Sequence, residues 1–175
     1  MKRIPKPLLG SEEFDQFVER GGAKVTPATV HRLAALLPEL REKFATVHGP
    51  GFSGAPAQLD FLARVVDAVA ADSYRDLSYA AMGEAAFALL YLARDVDIIP
   101  DCVEGLGYLD DAAVAAAVIE RNAAEFAKFA PHANYDFAAI GPAKARRASV
   151  ARLARRDGTV VEKKRIPKER HARPA

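Results

Sequence analysis

The 175-residue chain has no tryptophan, one cysteine, two methionines and only 8% aromatic residues. The lone thiol, Cys102, excludes an internal disulfide framework and a zinc site built from cysteines alone. Its neighbours are acidic, which opposes a reactive thiolate, and no serine–histidine or cysteine–histidine arrangement stands out. Long hydrophobic runs are also missing. The longest nearly apolar window, Tyr79 to Ala93, is broken by Glu84 and falls short of the ~20 residues a membrane span needs. Behind the basic start Met1–Pro7 there is no apolar stretch of the kind a signal peptide carries. The expected location is therefore cytoplasmic, with a peripheral membrane location left open.

What is present in quantity is alanine, within a hydrophobic content of 50%. Alanine is the best helix former and lets helices approach closely. A chain of this length fits one domain with flanking segments, and can bury on the order of 70% of its unfolded surface.

The net charge of +2 conceals a segregation. From Lys144 onward there are twelve Lys/Arg against Asp157, Glu162 and Glu169, a balance of +9. Lys2, Arg3 and Lys6 lie near the N-terminus, and residues 8–143 hold 10 basic against 20 acidic groups. An acidic body thus carries two basic ends. The pentapeptide Lys2-Arg3-Ile4-Pro5-Lys6 recurs as Lys164-Arg165-Ile166-Pro167-Lys168, for which coincidence between two basic stretches is the simpler account.

Helical signals fill the body. Ser11 can cap a first helix, with Glu12 and Glu13 in its first turn and Gly21-Gly22 as its expected end. Thr26-Pro27 opens a second as cap and first helical residue. Its apolar residues, Val30, Leu33, Leu37, Leu40, Phe44 and Val47, alternate steps of three and four, the seam of a bundle helix. Pro38 lies in that seam and should kink or split the helix. Residues 48–56 read as a loop, and Gly49-x-Gly51-x-x-Gly54 is no dinucleotide fingerprint because a helix, not a strand, precedes it. A third helix, about Ala57 to Ala71, has Leu59, Leu62, Val66 and Val69 on one stripe. A fourth, roughly Tyr74 to Ala93, is apolar nearly all round beyond Glu84, which places it at the centre. The last core helix is expected from Asp111 to about Ala130, where Pro131 ends it. Its apolar arc holds Ala115, Val118, Ile119, Asn122, Phe126 and Phe129, with Glu120, Arg121, Glu125 and Lys128 opposite. Beyond it, Ala143 to Arg156 could form a weak basic helix, and the remainder reads as irregular.

Between the fourth and last core helices runs a turn rich in aspartate. Each carboxylate there has a capping role available. Asp101 with Glu104 forms a capping box, Asp110 can cap the next helix, and Asp111 falls in its first turn. Alternatively Asp97, Asp101, Asp110 and Asp111 converge on a hard divalent cation such as Mg²⁺ or Ca²⁺, or on a close pair with one raised pKa. The spacing fits no Ca²⁺ loop, and capping is the more ordinary use. No other cofactor is indicated.

These residues carry a resemblance. Tyr91-Leu92, then Val96-Asp97-Ile98-Ile99-Pro100-Asp101, then Gly107-Tyr108-Leu109-Asp110-Asp111-Ala112 are similar to the signature of the YkvA-like family (domain of unknown function 1232). Arg94-Asp95 and Glu104-Gly105 depart from it, standing where that pattern has a proline and an apolar link. The resemblance covers about forty residues. It implies a small helical domain, with some relatives membrane-associated, and no reaction, substrate or cofactor.

The expected architecture is all-α: a bundle of four to five helices over residues 11–140, a basic arm at 1–10 and a basic tail at 141–175. The expected function is that of a binding or scaffold module. Its tail, with Arg146, Arg147, Arg152, Arg155, Arg156, Lys163, Lys164 and Arg165, would engage nucleic acid, an anionic lipid surface or an acidic protein. The competing class is a metal-dependent enzyme using the aspartate turn.

Overall fold

Seven helices and no strand are found among the described residues of the computed structural model, which are 12–47, 54–93 and 109–141, without the side chains of Glu13, Leu109 and Asp110. The class is all-helical as the periodicity demands. The helix count exceeds four to five because one expected helix divides and a short one is added. The expected Ser11 cap, the loop at 48–53, most of the aspartate turn and the basic helix of 143–156 lie outside the described residues.

Helix α1 runs Glu12–Ala23 and α2 Pro27–Phe44. Thr26 is the cap of α2, its hydroxyl accepting from the Thr29 amide at 3.2 Å, and Pro27 occupies the first turn where it costs no hydrogen bond. The seam Val30, Leu33, Leu37, Leu40 and Phe44 is buried throughout, and Val47 just beyond the helix is buried too. Pro38 does not split α2. Its ring removes one backbone donor, and the buried seam on both sides of it holds the helix together.

Helix α3, Ala55–Ala70, follows the cap residue Gly54 and packs on α2 and α4. Helix α4 spans Tyr79–Leu92, with ten of its fourteen residues buried. It contacts α1, α2, α3 and α5, which confirms it as the central helix. It starts later than Tyr74 because the chain first turns at Asp72, whose φ of 53° is left-handed, and then waits for a cap. That cap is Ser78, whose hydroxyl accepts from the Ala81 amide at 3.1 Å.

The expected end of α1 is met to within one residue, while the expectation of a single last core helix is overturned. Gly21-Gly22 lies in the last turn of α1, just before its end at Ala23, where α1 crosses α4. A Cβ on Gly22 would stand 2.8 Å from the Glu84 amide nitrogen, and one on Gly83 2.6 Å from the Gly22 carbonyl oxygen. The two backbones touch, and only glycine allows that approach. The last core helix breaks at Asn122 into α5, Leu109–Arg121, and α6, Ala123–Phe129. Asn122 leaves helical geometry at φ −103°, ψ 18°, and its amide group donates back to the Val118 carbonyl at 3.0 Å.

A short α7, Phe137–Ile140, closes the described chain. Asp136 caps it, and the Tyr135 hydroxyl donates to the Ala57 carbonyl at 2.8 Å. Gln58, buried in α3, donates to the Ile140 carbonyl at 2.9 Å. Phe61 forms the hub beneath, with Phe126, Phe129, Tyr135 and Phe137 ring centroids 5.3–5.7 Å away.

Candidate functional site

The candidate metal residues are only partly placed by the structure. Asp97 and Asp101 lie outside the described residues. The backbone sets Asp110 one residue into α5, in its first turn rather than at its cap, with a side chain outside the description. Asp111, next along, is 2% exposed and belongs to the core. Among the described residues no group of three or more His, Cys, Asp or Glu is disposed to hold a metal ion. The eight tail residues, Arg146, Arg147, Arg152, Arg155, Arg156, Lys163, Lys164 and Arg165, also lie outside.

The most developed polar constellation is one that pattern reading passed over. Glu84 sits in the middle of α4 at 4% exposure. An ionised carboxylate there requires partners, since stripping its hydration without them costs several kcal/mol. Arg121, the last residue of α5, supplies them. Its Nε donates to Glu84 Oε2 at 3.1 Å and its Nη2 to Oε1 at 3.0 Å, a two-pronged pair. Asn122 adds a third donor, its Nδ2 at 2.7 Å from Glu84 Oε2. The break at Asn122 and the buried carboxylate are therefore one feature.

The same guanidinium reaches α1. Its Nη1 lies 3.7 Å from Asp15 and its Nη2 3.6 Å from Glu19. One arginine thus faces three carboxylates from two helices, and it sits beside the Gly22–Gly83 contact. The Arg121 pKa is raised above its ordinary value, first by the hydrogen bond to Glu84, against an opposing desolvation, and then by the three carboxylate charges. The cluster clamps α1, α4 and the α5–α6 junction together. Its reactive atoms are engaged with one another, so its chemistry is structural.

A second polar clip holds the entrance to α4. The Ser78 amide and hydroxyl both donate to Glu125 of α6, at 2.8 and 2.9 Å. Glu125 is the partner of a cap rather than part of a solvated face. The signal available in the sequence for both features was the same: a polar residue in an apolar run, or opposite one, with a complementary residue far away in the chain.

Two concavities are lined by described residues. One, of about 580 Å³, lies over α3 and the segment after α6, where Arg41 bridges Asp67 at 2.7 Å and Arg64 pairs with Asp60 at 3.0 Å. There Ser73 Oγ and His132 Nε2 come within 3.4 Å, a serine–histidine approach that sequence spacing did not suggest. Ser73 Oγ also donates to the Ala68 carbonyl at 3.2 Å, which occupies its proton and gives it a capping role. The other, of about 590 Å³, is a groove between α1 and α4 with Phe17, Phe87, Leu90 and Tyr91 as walls and Arg20 and Lys24 at its edge.

The fold and this cluster define a class: an all-helical domain whose central helix is locked by a glycine crossing and a buried glutamate–arginine pair. Residues 81–117 match the model of the family described as "Protein of unknown function (DUF1232)". The matched stretch runs from α4 through the aspartate motifs into α5, about a fifth of the chain. No curated protein and no solved structure gives a match. No helix among the described residues is long and apolar enough to cross a membrane.

Proposed function

We propose that the protein is a helical binding module whose basic C-terminal segment, Lys144 to Ala175, engages an anionic partner. The observation that carries this reading is the charge segregation: +9 from Lys144 onward against 10 basic and 20 acidic residues over 8–143. The bundle provides a mount, its buried Glu84 and Gln58 satisfied by internal bonds. The segment has few large apolar residues, Val150 and Leu153 alone between Lys144 and Arg156, so its binding energy must come from charge. Nucleic acid, an anionic lipid surface and an acidic protein all meet that requirement. Contacts from Lys and Arg to phosphates release counterions, so binding should weaken steeply as salt rises and show little sequence preference. No aromatic residue follows Phe137, so stacking on bases contributes nothing from this segment.

The test compares the full chain with a variant in which Arg146, Arg147, Arg152, Arg155, Arg156, Lys163, Lys164 and Arg165 are glutamine. Both are titrated with a nucleic-acid duplex and with anionic vesicles, at low and at physiological salt. Salt-sensitive binding by the wild type, lost in the variant, is expected. Binding that survives in the variant refutes the reading. Tight Mg²⁺ binding abolished by Asp97→Asn would favour the metal-dependent enzyme instead.

A further inference from the structure

We propose that the groove between α1 and α4 binds a long-chain fatty acid, its acyl chain against the aromatic wall and its carboxylate at Arg20 and Lys24. The wall is a cluster of three rings. The Phe17 and Phe87 centroids are 5.4 Å apart, Phe17 and Tyr91 5.9 Å, and Phe87 and Tyr91 6.1 Å. Phe17, Phe87 and Leu90 are only half-buried, although all three pack against the core, so apolar surface is left facing the groove. Gly21 makes that arrangement possible. A Cβ there would lie 2.4 Å from the Phe87 ring, so glycine lets the ring pack closely against α1.

The edge of this apolar surface is cationic. Arg20, in the last turn of α1, and Lys24, just beyond its end, are both exposed, and neither forms an ion pair among the described residues. Arg20 uses its Nε on the Gln16 carbonyl of its own helix at 3.1 Å, which orients the guanidinium and leaves its terminal nitrogens for a ligand. Every other arginine with a described side chain, Arg32 apart, pairs with a carboxylate: Arg41, Arg64, Arg75 and Arg121. An apolar strip ending in two unpaired cations is complementary to a molecule with one anionic end and a long apolar body. A volume of about 590 Å³ is of the size that small-molecule sites commonly have. A nucleic acid would use the cations but not the rings, which are edge-on to one another rather than spread as stacking platforms. No residue of the C-terminal segment is invoked at this site.

The experiment is calorimetric titration of the full chain with octanoate, decanoate, dodecanoate and tetradecanoate, each below its micelle concentration. Dodecyltrimethylammonium serves as the cationic control. Each methylene buried should raise affinity about two- to fourfold, the upper figure being full burial. The double variant Arg20→Glu, Lys24→Glu alters exposed positions only. It should keep the wild-type circular dichroism spectrum and bind dodecanoate at least about tenfold more weakly at low salt. A second variant, Lys163→Glu with Lys164→Glu and Arg165→Glu, should bind dodecanoate as the wild type does. The proposal is overturned if no chain length binds, if the ammonium amphiphile binds as well as the carboxylate, or if the Arg20/Lys24 variant keeps its affinity. It is equally overturned if the chain sediments as a dimer indifferent to dodecanoate, since a second copy would then cover the groove. Loss of binding only in the Lys163/Lys164/Arg165 variant would assign the fatty acid to the C-terminal segment and refute the groove.

Discussion

Replacing Gly83 by alanine isolates the helix crossing from every other contribution. In an ordinary exposed helix the change would stabilise by about 1 kcal/mol, because alanine loses less backbone entropy and is the better helix former. Here the new Cβ would stand 2.6 Å from the Gly22 carbonyl oxygen and 3.1 Å from its carbon. Those are backbone atoms of a packed helix, so no side chain can swing away, and α1 must move off α4. Overpacking of a close-fitted core costs about 1–3 kcal/mol. Displacement would also loosen the hold of Arg121 on Asp15 and Glu19, which belong to α1. The expected net change is a destabilisation of about 2 kcal/mol, a fall in Tm of roughly 4–8 °C for a chain of this size. Chemical denaturation with an unchanged slope would show that stability had changed without a change in the surface exposed on unfolding. Gly21→Ala serves as the graded control. Its Cβ meets the Phe87 ring, which is half-buried and has room to rotate, so the loss should be smaller. A Gly83→Ala protein as stable as the wild type, or more so, would refute the backbone-contact argument.

Arg121→Leu leaves the buried Glu84 with Asn122 as its remaining partner, and should destabilise by about 2–4 kcal/mol, below the full cost of breaking a buried pair because Arg121 is 26% exposed. Denaturant melts should show Glu84→Gln costing less, since the amide can still bond Asn122 and Arg121 keeps Asp15 and Glu19. Because the Arg121 pKa is raised from an already high value, its contribution is fully present below the unfolded pKa and is lost only as pH rises through the folded one. The wild-type advantage over Arg121→Leu should therefore stay constant from neutral into mildly alkaline pH, and a decline across that window would refute the assignment. Ser78→Ala removes the α4 cap and the hydroxyl half of the clip to Glu125, the backbone amide still donating, and a thermal melt should report a loss of about 1–2 kcal/mol. Glu125→Ala, which keeps the cap, should lose less.

Sequence alone determined what depends on neighbours in the chain. The three-and-four spacing from Val30 to Phe44 settles both the helical state of α2 and its buried face, because side chains that far apart share one side of a helix. Thr26-Pro27 set its start for an equally local reason. The apolar content of α4 announced a central helix, and the end of α6 before Pro131 was legible in the same way. Tertiary structure decided wherever a local preference met a distant partner. Gly21-Gly22 has the composition of a helix end and lies in the last turn of α1, but only the fold shows that α4, some sixty residues away, comes close enough there to leave no room for a side chain. Asn122 and Arg121 looked like a stray polar residue and a solvated charge until the fold brought Glu84 between them. A buried carboxylate must find its donors, and the periodicity of one helix cannot name donors that sit on another. The groove beside Phe87 arose likewise from that close approach of α1 to α4, through the space that Gly21 leaves for the ring.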